Sequence, residues 1–185
     1  MDPAEFSVCV FCGSRDGVRP EYIEAANELG RAIAAQNWRL VYGAGDIGLM
    51  GAVARSTQAN GGDTFGVIPI HLLQREVAKR DLGRFVVTEN MHERKKVMFM
   101  NSDALVVLPG GTGSLDEFFE VLTWRQLGLH GKPIFLLNTN GYWNKLVELM
   151  EHIIEQGFAD AGIMEYLTLF DDVPSLVAAL QNARG

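Results

Sequence analysis

The residues best suited to chemistry lie in one segment, Pro-Gly-Gly-Thr-Gly-Ser-Leu-Asp-Glu, at positions 109–117. It follows the apolar run 104–108, so we predict that it joins a buried strand to a helix beginning near Ser114. Glycines in such a turn leave backbone N–H groups free, and a helix N-terminus with free N–H groups attracts phosphate. Asp116 and Glu117 would repel a phosphate unless they have another task. The segment therefore predicts a site that binds a phosphorylated substrate beside a reactive carboxylate.

Glu117 has two interpretations. Ser114 and Glu117 have the S-x-x-E spacing of a capping box, in which the glutamate would bind the backbone N–H of Ser114. Alternatively, Glu117 is a catalytic carboxylate, and Glu120, one helical turn later, would raise the pKa of both acids in a dry cleft. The local sequence leaves both interpretations open.

Arg94 is the second candidate, and it begins a run of three basic residues. A solvent-exposed basic face is the usual interpretation of such a run. However, Arg94 lies three residues after Met91 and four before Met98, which places it on the apolar side of the predicted helix. A cation there needs an anionic partner, and either a phosphate or Glu117 would serve.

The elements that position these residues are short apolar runs alternating with amphipathic stretches. The predicted strands are Ser7–Phe11, Arg39–Tyr42, Thr64–Ile68, Arg84–Thr88, Ala104–Leu108, Pro133–Leu137 and Leu167–Phe170. The predicted helices are Pro20–Gln36, Gly48–Asn60, Met91–Asn101, Ser114–Leu127, Tyr142–Glu155 and Val173–Asn182. This order predicts a Rossmann-like, doubly wound α/β fold, with a parallel sheet covered by helices on both faces. Glycine motifs follow the first, second and fifth strands, at the carboxyl edge where such sheets bind ligands.

Size and composition limit the class of protein. A chain of 185 residues, 48% hydrophobic and 21% charged, is expected to form a single globular domain, which we place at residues 7–185. Residues 1–6 are interpreted as disordered or as a cloning remnant outside that domain. The net charge of −7 argues against nucleic-acid binding. Without a long apolar run or a secretory leader, we expect a cytoplasmic protein that does not contact membranes.

Two other motifs are weaker than they first look. Residues 43–48 satisfy G-x-G-x-x-G, but the next strand ends in Pro-Ile-His at 69–71 rather than in the acidic residue that dinucleotide binding requires. Cys9 and Cys12 form C-x-x-C within and at the end of a strand, where they should point to opposite faces. The four histidines fit no metal spacing with them. We therefore predict no dinucleotide, metal or disulfide.

Segment 109–117 resembles the PGGxGTxxE signature of the Lonely Guy family, formerly labelled lysine decarboxylases. The similarity continues at Val10–Ser14, Tyr42–Gly51, Met91–Lys95, Thr123–Gly128 and Leu137–Tyr142, in order and at compatible spacing. Three positions depart from the family pattern. Ala44 replaces the middle glycine of a glycine run, Asp46 adds a negative charge, and Ser114 replaces threonine. These departures bear on substrate preference more than on reaction type.

The resemblance implies a phosphoribohydrolase that cleaves the N-glycosidic bond of adenosine 5′-monophosphates, typically N6-substituted ones, releasing free cytokinin base and ribose 5-phosphate. It also implies a homodimer that needs no cofactor, with Arg94 and Glu117 as catalytic residues. The expected substrate-binding residues are Gly13, Ser14, Gly43, Gly45, Glu76, Met91, Arg94, Lys95, Gly110, Gly111, Thr112, Gly113, Ser114, Asp116, Glu117 and Thr123.

Two alternatives remain open at this point. The first is a nucleotide-binding sensor or carrier without catalysis, because one fold supports many functions. The second is the decarboxylase of the older label, which would need pyridoxal phosphate on a lysine. The lysines stand at positions 79, 95, 96, 132 and 145, and none lies in a recognisable cofactor motif.

Overall fold

The computed structural model describes residues 6–73 and 84–184, which we call the described residues. They form seven strands: β1 (Ser7–Phe11), β2 (Arg39–Tyr42), β3 (Asp63–Pro69), β4 (Arg84–Thr88), β5 (Ala104–Val107), β6 (Ile134–Leu137) and β7 (Leu167–Phe170). They also form six α-helices: α1 (Pro20–Ala35), α2 (Gly48–Ala59), α3 (Met91–Met100), α4 (Thr112–Gln126), α5 (Asn144–Glu155) and α6 (Val173–Arg184). Each predicted strand and helix is confirmed, with bounds within two residues of those expected from the sequence.

The strands form one parallel sheet in the order β4-β3-β2-β1-β5-β6-β7. The order reverses between β1 and β5, where Phe11 is in register with Val107. Such a reversal sends the loops after the two strands to opposite sides and leaves a crevice between them. The sheet therefore places its ligand crevice between the loop after β1 and the loop after β5.

Helices cover both faces of the sheet, as predicted. Alternate side chains of β1 divide between the faces: Val8 and Val10 pack with α1, α2 and α6, whereas Cys9 and Phe11 pack with α3, α4 and α5. Cys12 joins the first of these two clusters, so the two thiols lie on opposite faces, as the sequence indicated. Both cysteines are free and buried, and burial raises the pKa of each thiol.

Phe6 corrects one expectation. The sequence analysis placed it outside the domain, but its side chain is buried in the core. Its ring centroid lies 5.3 Å from that of Trp38, and its carbonyl accepts a hydrogen bond from the Arg39 N–H at 2.9 Å. The large apolar side chain is stabilised by burial where the chain enters β1. The acidic residues before it made this segment look like part of a solvent-exposed terminus. Among the described residues, no helix is long and apolar enough to cross a bilayer.

Candidate active site

A cavity of about 540 Å³ opens where the order of the sheet reverses. Residues 12–17 after β1 and residues 109–114 after β5 provide much of its lining, and Asp116 and Glu117 of α4 join them. Other helices and the turn before α5 contribute Tyr22, Leu49, Met50, Met91, Arg94 and Tyr142. The volume falls in the range of small-molecule sites, about 300–1,000 Å³.

The two glycine-rich loops pack directly on each other. The Gly13 N–H donates to the Pro109 carbonyl at 3.0 Å, and a Cβ at Gly13 would lie 3.3 Å from the Gly110 Cα. A Cβ at Gly110 would overlap the Ser114 hydroxyl. Gly48 has φ +64° and contacts the backbone of the loop after β1. A side chain at Gly48 or Gly110 would overlap neighbouring atoms, and one at Gly13 would fit only if its neighbours shifted slightly.

Glu117 is not part of a capping box, so that interpretation is wrong. Helix α4 begins at Thr112 rather than at Ser114, and Gly111, in an extended conformation, occupies its N-cap. Ser114 is therefore already inside the helix, and no side chain caps the N-terminus of α4. The glycines let the backbone enter the helix earlier than the pattern of side chains indicated.

The Glu117 carboxyl is instead buried against the cavity. The residue is 8% exposed, and no group among the described residues forms a hydrogen bond with its carboxylate. Burial raises the pKa of Glu117 to about 7; the charge of Arg94 opposes this rise, and Asp116 adds to it. A carboxyl with this pKa is present in both protonation states near neutral pH, as general acid–base chemistry requires.

Arg94 is buried, 4% exposed, and points into the structure as predicted. Its Nη2 donates to the Gly43 carbonyl at 2.8 Å and its Nε to the Val67 carbonyl at 3.2 Å. Its Nη1 lies 3.7 Å from the Met91 sulfur. Carbonyl groups at the carboxyl ends of β2 and β3 bind the guanidinium, and no direct hydrogen bond joins it to Glu117. A phosphate partner for Arg94 stays a prediction. A Cβ at Gly43 would overlap that guanidinium, which explains the glycine.

Lys95 lies beside Arg94 but does not line the cavity. Its Nζ forms ion pairs with Asp116 at 3.0 Å and with Glu120 at 2.9 Å, and the lysine side chain is 7% exposed. Burial by itself would lower the pKa of Lys95. The hydrogen bonds to Glu120 and Asp116 raise it by more than burial lowers it, so the net shift is upward. Lys95 thus connects α3 to α4 through two carboxylates, one before and one after Glu117 in the sequence.

Most of the predicted binding residues line this one cavity: Gly13, Ser14, Met91, Arg94, Gly110, Gly111, Thr112, Gly113, Ser114, Asp116 and Glu117. Gly43 and Gly45 are buried behind it, and the Gly45 N–H lies 3.2 Å from the Met50 sulfur. Thr123 is exposed near the end of α4, outside the lining. Glu76 lies outside the described residues. Binding by each of these residues stays a prediction.

The departures at positions 44 and 46 also have clear environments. Ala44 is buried with φ +59°, a left-handed conformation that favours glycine. Asp46 forms an ion pair with Arg55 at 3.0 Å, so a neighbouring cation balances its charge. Neither side chain lines the cavity.

Sequence reasoning missed the aromatic part of the lining. The Tyr142 hydroxyl donates to the Gly110 carbonyl at 2.6 Å, and its ring stands edge-on to Tyr22 with centroids 5.5 Å apart. Two signals were available. Tyr142 ends the segment Leu137–Tyr142 that resembles the family, and it follows β6 at the ligand-binding edge of the sheet. Neither signal gave the residue a role.

Comparison with known proteins identifies the family. Residues 50–180 match the family model described as "Possible lysine decarboxylase". The chain is 43% identical over 177 residues to the rice (Oryza sativa subsp. japonica) "Probable cytokinin riboside 5'-monophosphate phosphoribohydrolase LOG4", covering 96% of this chain and 77% of that protein. It is 41% identical over 183 residues to the Arabidopsis thaliana "Cytokinin riboside 5'-monophosphate phosphoribohydrolase LOG4", covering 98% and 85%. The chain belongs to the Lonely Guy family.

Solved structures share the fold of this Lonely Guy protein. The Moco carrier protein from Chlamydomonas reinhardtii superposes with a TM-score of 0.72 at 24% identity, covering 96% of both chains. The molybdenum cofactor binding protein from Rippkaea orientalis gives a TM-score of 0.71 at 18% identity, covering 95% of both chains. At these identities the likeness shows the fold alone.

The lysines of this Lonely Guy protein do not fit the decarboxylase in the family model's description. Pyridoxal phosphate would need a lysine in the cavity, and none of the described lysines lines it. Lys95 is held by two carboxylates, and the Lys132 Nζ donates to two carbonyls at 2.6 Å each. Lys96 and Lys145 are exposed, and Lys79 lies outside the described residues. Nor do the described residues contain a group of three or more side chains suited to a metal ion.

Proposed function

We propose that this Lonely Guy protein hydrolyses the N-glycosidic bond of adenosine 5′-monophosphates, N6-substituted ones included, releasing the free base and ribose 5-phosphate. The observation that carries the proposal is the buried Glu117 carboxyl, without a hydrogen-bond partner among the described residues, beside a glycine-rich helix N-terminus in one cavity. The names of the relatives described above support the same reaction.

The phosphate end of the substrate fits the N-terminus of α4. The helix begins at Thr112, and the preceding Gly111 and the following Gly113 leave open space where a Cβ would stand. An anion can therefore approach the backbone N–H groups of this turn, where the helix dipole also favours negative charge. Arg94 retains one nitrogen for the substrate, because Nη1 contacts only Met91 among the described residues.

The reaction needs a negative charge near the ribose. As the bond from C1′ to the base nitrogen breaks, positive charge develops on the sugar in an oxocarbenium-like transition state. Ionised Glu117 stabilises that charge and accepts a proton from the water whose oxygen forms the new bond to C1′. The base leaves with the electron pair of the broken bond and takes up a proton. General base catalysis of this kind contributes about 10²–10⁴-fold to the rate.

Arg94 supports this chemistry by position. Its two bonds to carbonyl groups hold the guanidinium in place, and its charge lowers the pKa of Glu117 against the effect of burial. The remaining parts of the proposal are a homodimer in the cytoplasm, a single domain that includes Phe6, no nucleic-acid partner, and substrate contacts from the predicted binding residues. The net charge of −7 supports the absence of a nucleic-acid partner.

The test is release of free base by wild type, Glu117→Ala and Glu151→Ala, with AMP and isopentenyladenosine monophosphate offered side by side. Glu151 is an exposed residue of α5 and serves as the matched control. We expect the Glu117 variant to lose about 10²–10⁴-fold in rate and the control to keep it.

Retention of activity in Glu117→Ala would refute the proposed role of the carboxylate. If wild type binds both nucleotides but cleaves neither, the protein is a carrier or sensor instead. The ratio of the two cleavage rates gives the base preference.

A further inference from the structure

Three consecutive carbonyl groups in the loop after β5, at residues 109–111, each accept a hydrogen bond. The donors are, in order, the Gly13 N–H at 3.0 Å, the Tyr142 hydroxyl at 2.6 Å and the Leu115 N–H at 3.1 Å. Two of these donors belong to the backbone, so a change of side chain other than to proline leaves them in place. The Tyr142 hydroxyl is the side-chain donor of the three.

These bonds fix the direction of the neighbouring N–H groups. In a planar trans peptide the C=O and the following N–H point in opposite directions, and the described residues contain no cis peptide bond. The Gly111 N–H therefore points away from the Tyr142 hydroxyl. Within the described residues, no acceptor binds the N–H of Gly111 or of Thr112. Both residues line the cavity, so these donors are available to a ligand.

The Tyr142 ring, 37% exposed, packs against two other aromatic rings. It is edge-on to Tyr22, with centroids 5.5 Å apart, and edge-on to Trp143, with centroids 4.8 Å apart. The backbone N–H of Trp143 donates to the Asn138 side chain at 2.7 Å. These contacts place the hydroxyl within hydrogen-bond distance of the Gly110 carbonyl. A ligand site that is already arranged loses less conformational entropy on binding.

We propose that Tyr142 is a positioning residue, whose hydroxyl orients the Gly110–Gly111 peptide so that the Gly111 N–H binds the substrate's 5′-phosphate. The inference rests on the proposed function for the identity of the ligand. Without the hydroxyl, the peptide between two glycines is free to rotate, because glycine permits most backbone conformations. A rotated peptide would present its carbonyl oxygen, which repels a phosphate.

The test compares wild type, Tyr142→Phe and Tyr166→Phe. Tyr166 is a matched control because its ring contacts Arg125, away from the cavity lining. We expect Tyr142→Phe to bind ribose 5-phosphate about tenfold more weakly. Its rotated peptide no longer donates the Gly111 N–H to the charged phosphate, and that hydrogen bond is lost. Its KM for AMP should rise by a similar factor, while kcat changes little. The control should match wild type in both measurements.

A merely structural role for Tyr142 would lower thermal stability and leave affinity for ribose 5-phosphate unchanged in the folded protein. Equal affinity of wild type and Tyr142→Phe, measured calorimetrically below the unfolding temperature, would overturn the inference. If wild type binds ribose 5-phosphate but does not cleave AMP, the proposed function fails, and the affinity of Tyr142→Phe still decides the inference. If wild type cleaves AMP but does not bind ribose 5-phosphate, the proposed function stands and the inference alone fails.

Discussion

Glu117→Gln should make the folded protein more stable than wild type at alkaline pH. Burial raises the pKa of Glu117 from 4.5 to about 7, so the folded protein holds this proton more tightly than the unfolded chain does. Between these two pH values folding takes up a proton, and wild-type stability therefore falls as pH rises through the window. Glutamine does not titrate, so the variant is free of this loss.

The magnitude follows from the two pKa values. Each pH unit between 4.5 and about 7 corresponds to about 1.4 kcal/mol, which gives about 3 kcal/mol at pH 8. The residue is 8% exposed, so solvent screens little of this effect. At pH 5 the free energies of unfolding of the two proteins should differ by only about 1 kcal/mol, and below pH 4 by almost nothing.

The assay is urea denaturation followed by far-ultraviolet circular dichroism at pH 5, 6, 7 and 8. Glu151→Gln is the matched control, because Glu151 is an exposed residue of α5 that does not line the cavity. The control should differ from wild type by the same amount at every pH. A stability difference for Glu117→Gln that does not grow from pH 5 to pH 8 would refute the reasoning.

Three further predictions concern the same cavity. Base release should increase as pH rises through about 7, because catalysis needs ionised Glu117; a flat profile of kcat/KM against pH would contradict this. Lys95→Met should move that rise to higher pH, since the lysine charge lowers the pKa of Glu117, whereas the exposed Lys96→Met should leave the profile in place. Gly43→Ala should lose about 1–3 kcal/mol of stability in thermal denaturation, because its Cβ overlaps the Arg94 guanidinium. The same variant should also lose base release. An active variant with wild-type stability would disprove the clash.

The sequence predicted the fold well because its strands are short apolar runs closed by glycine turns. Ser7–Phe11 and Arg39–Tyr42 have the same bounds in the structure as in the prediction. Periodicity also placed Arg94 on the buried side of α3, where the structure has it. These properties depend on neighbouring residues, so the sequence carries them directly.

The remaining features depend on contacts between distant segments. Arg94 binds carbonyl groups of Gly43 and Val67, and a backbone carbonyl leaves no trace in the residue types. The N-cap of α4 is Gly111 rather than Ser114. The packed loops determine the backbone conformation there, and the Ser114 side chain does not. Tyr142 was missed because its partner, the Gly110 carbonyl, lies 32 residues away in the chain.

The position of β1 in the middle of the sheet also has a consequence for how the protein folds. The Ser7 N–H donates to the Asp103 side chain at 2.8 Å, across a sequence separation of 96 residues, where β1 meets β5. Contacts between such distant segments lose much loop-closure entropy and slow the folding reaction. The cavity needs both strands, so a chain still emerging from the ribosome has no binding site until α4 has been synthesised. In refolding, recovery of nucleotide binding should therefore lag behind recovery of helix.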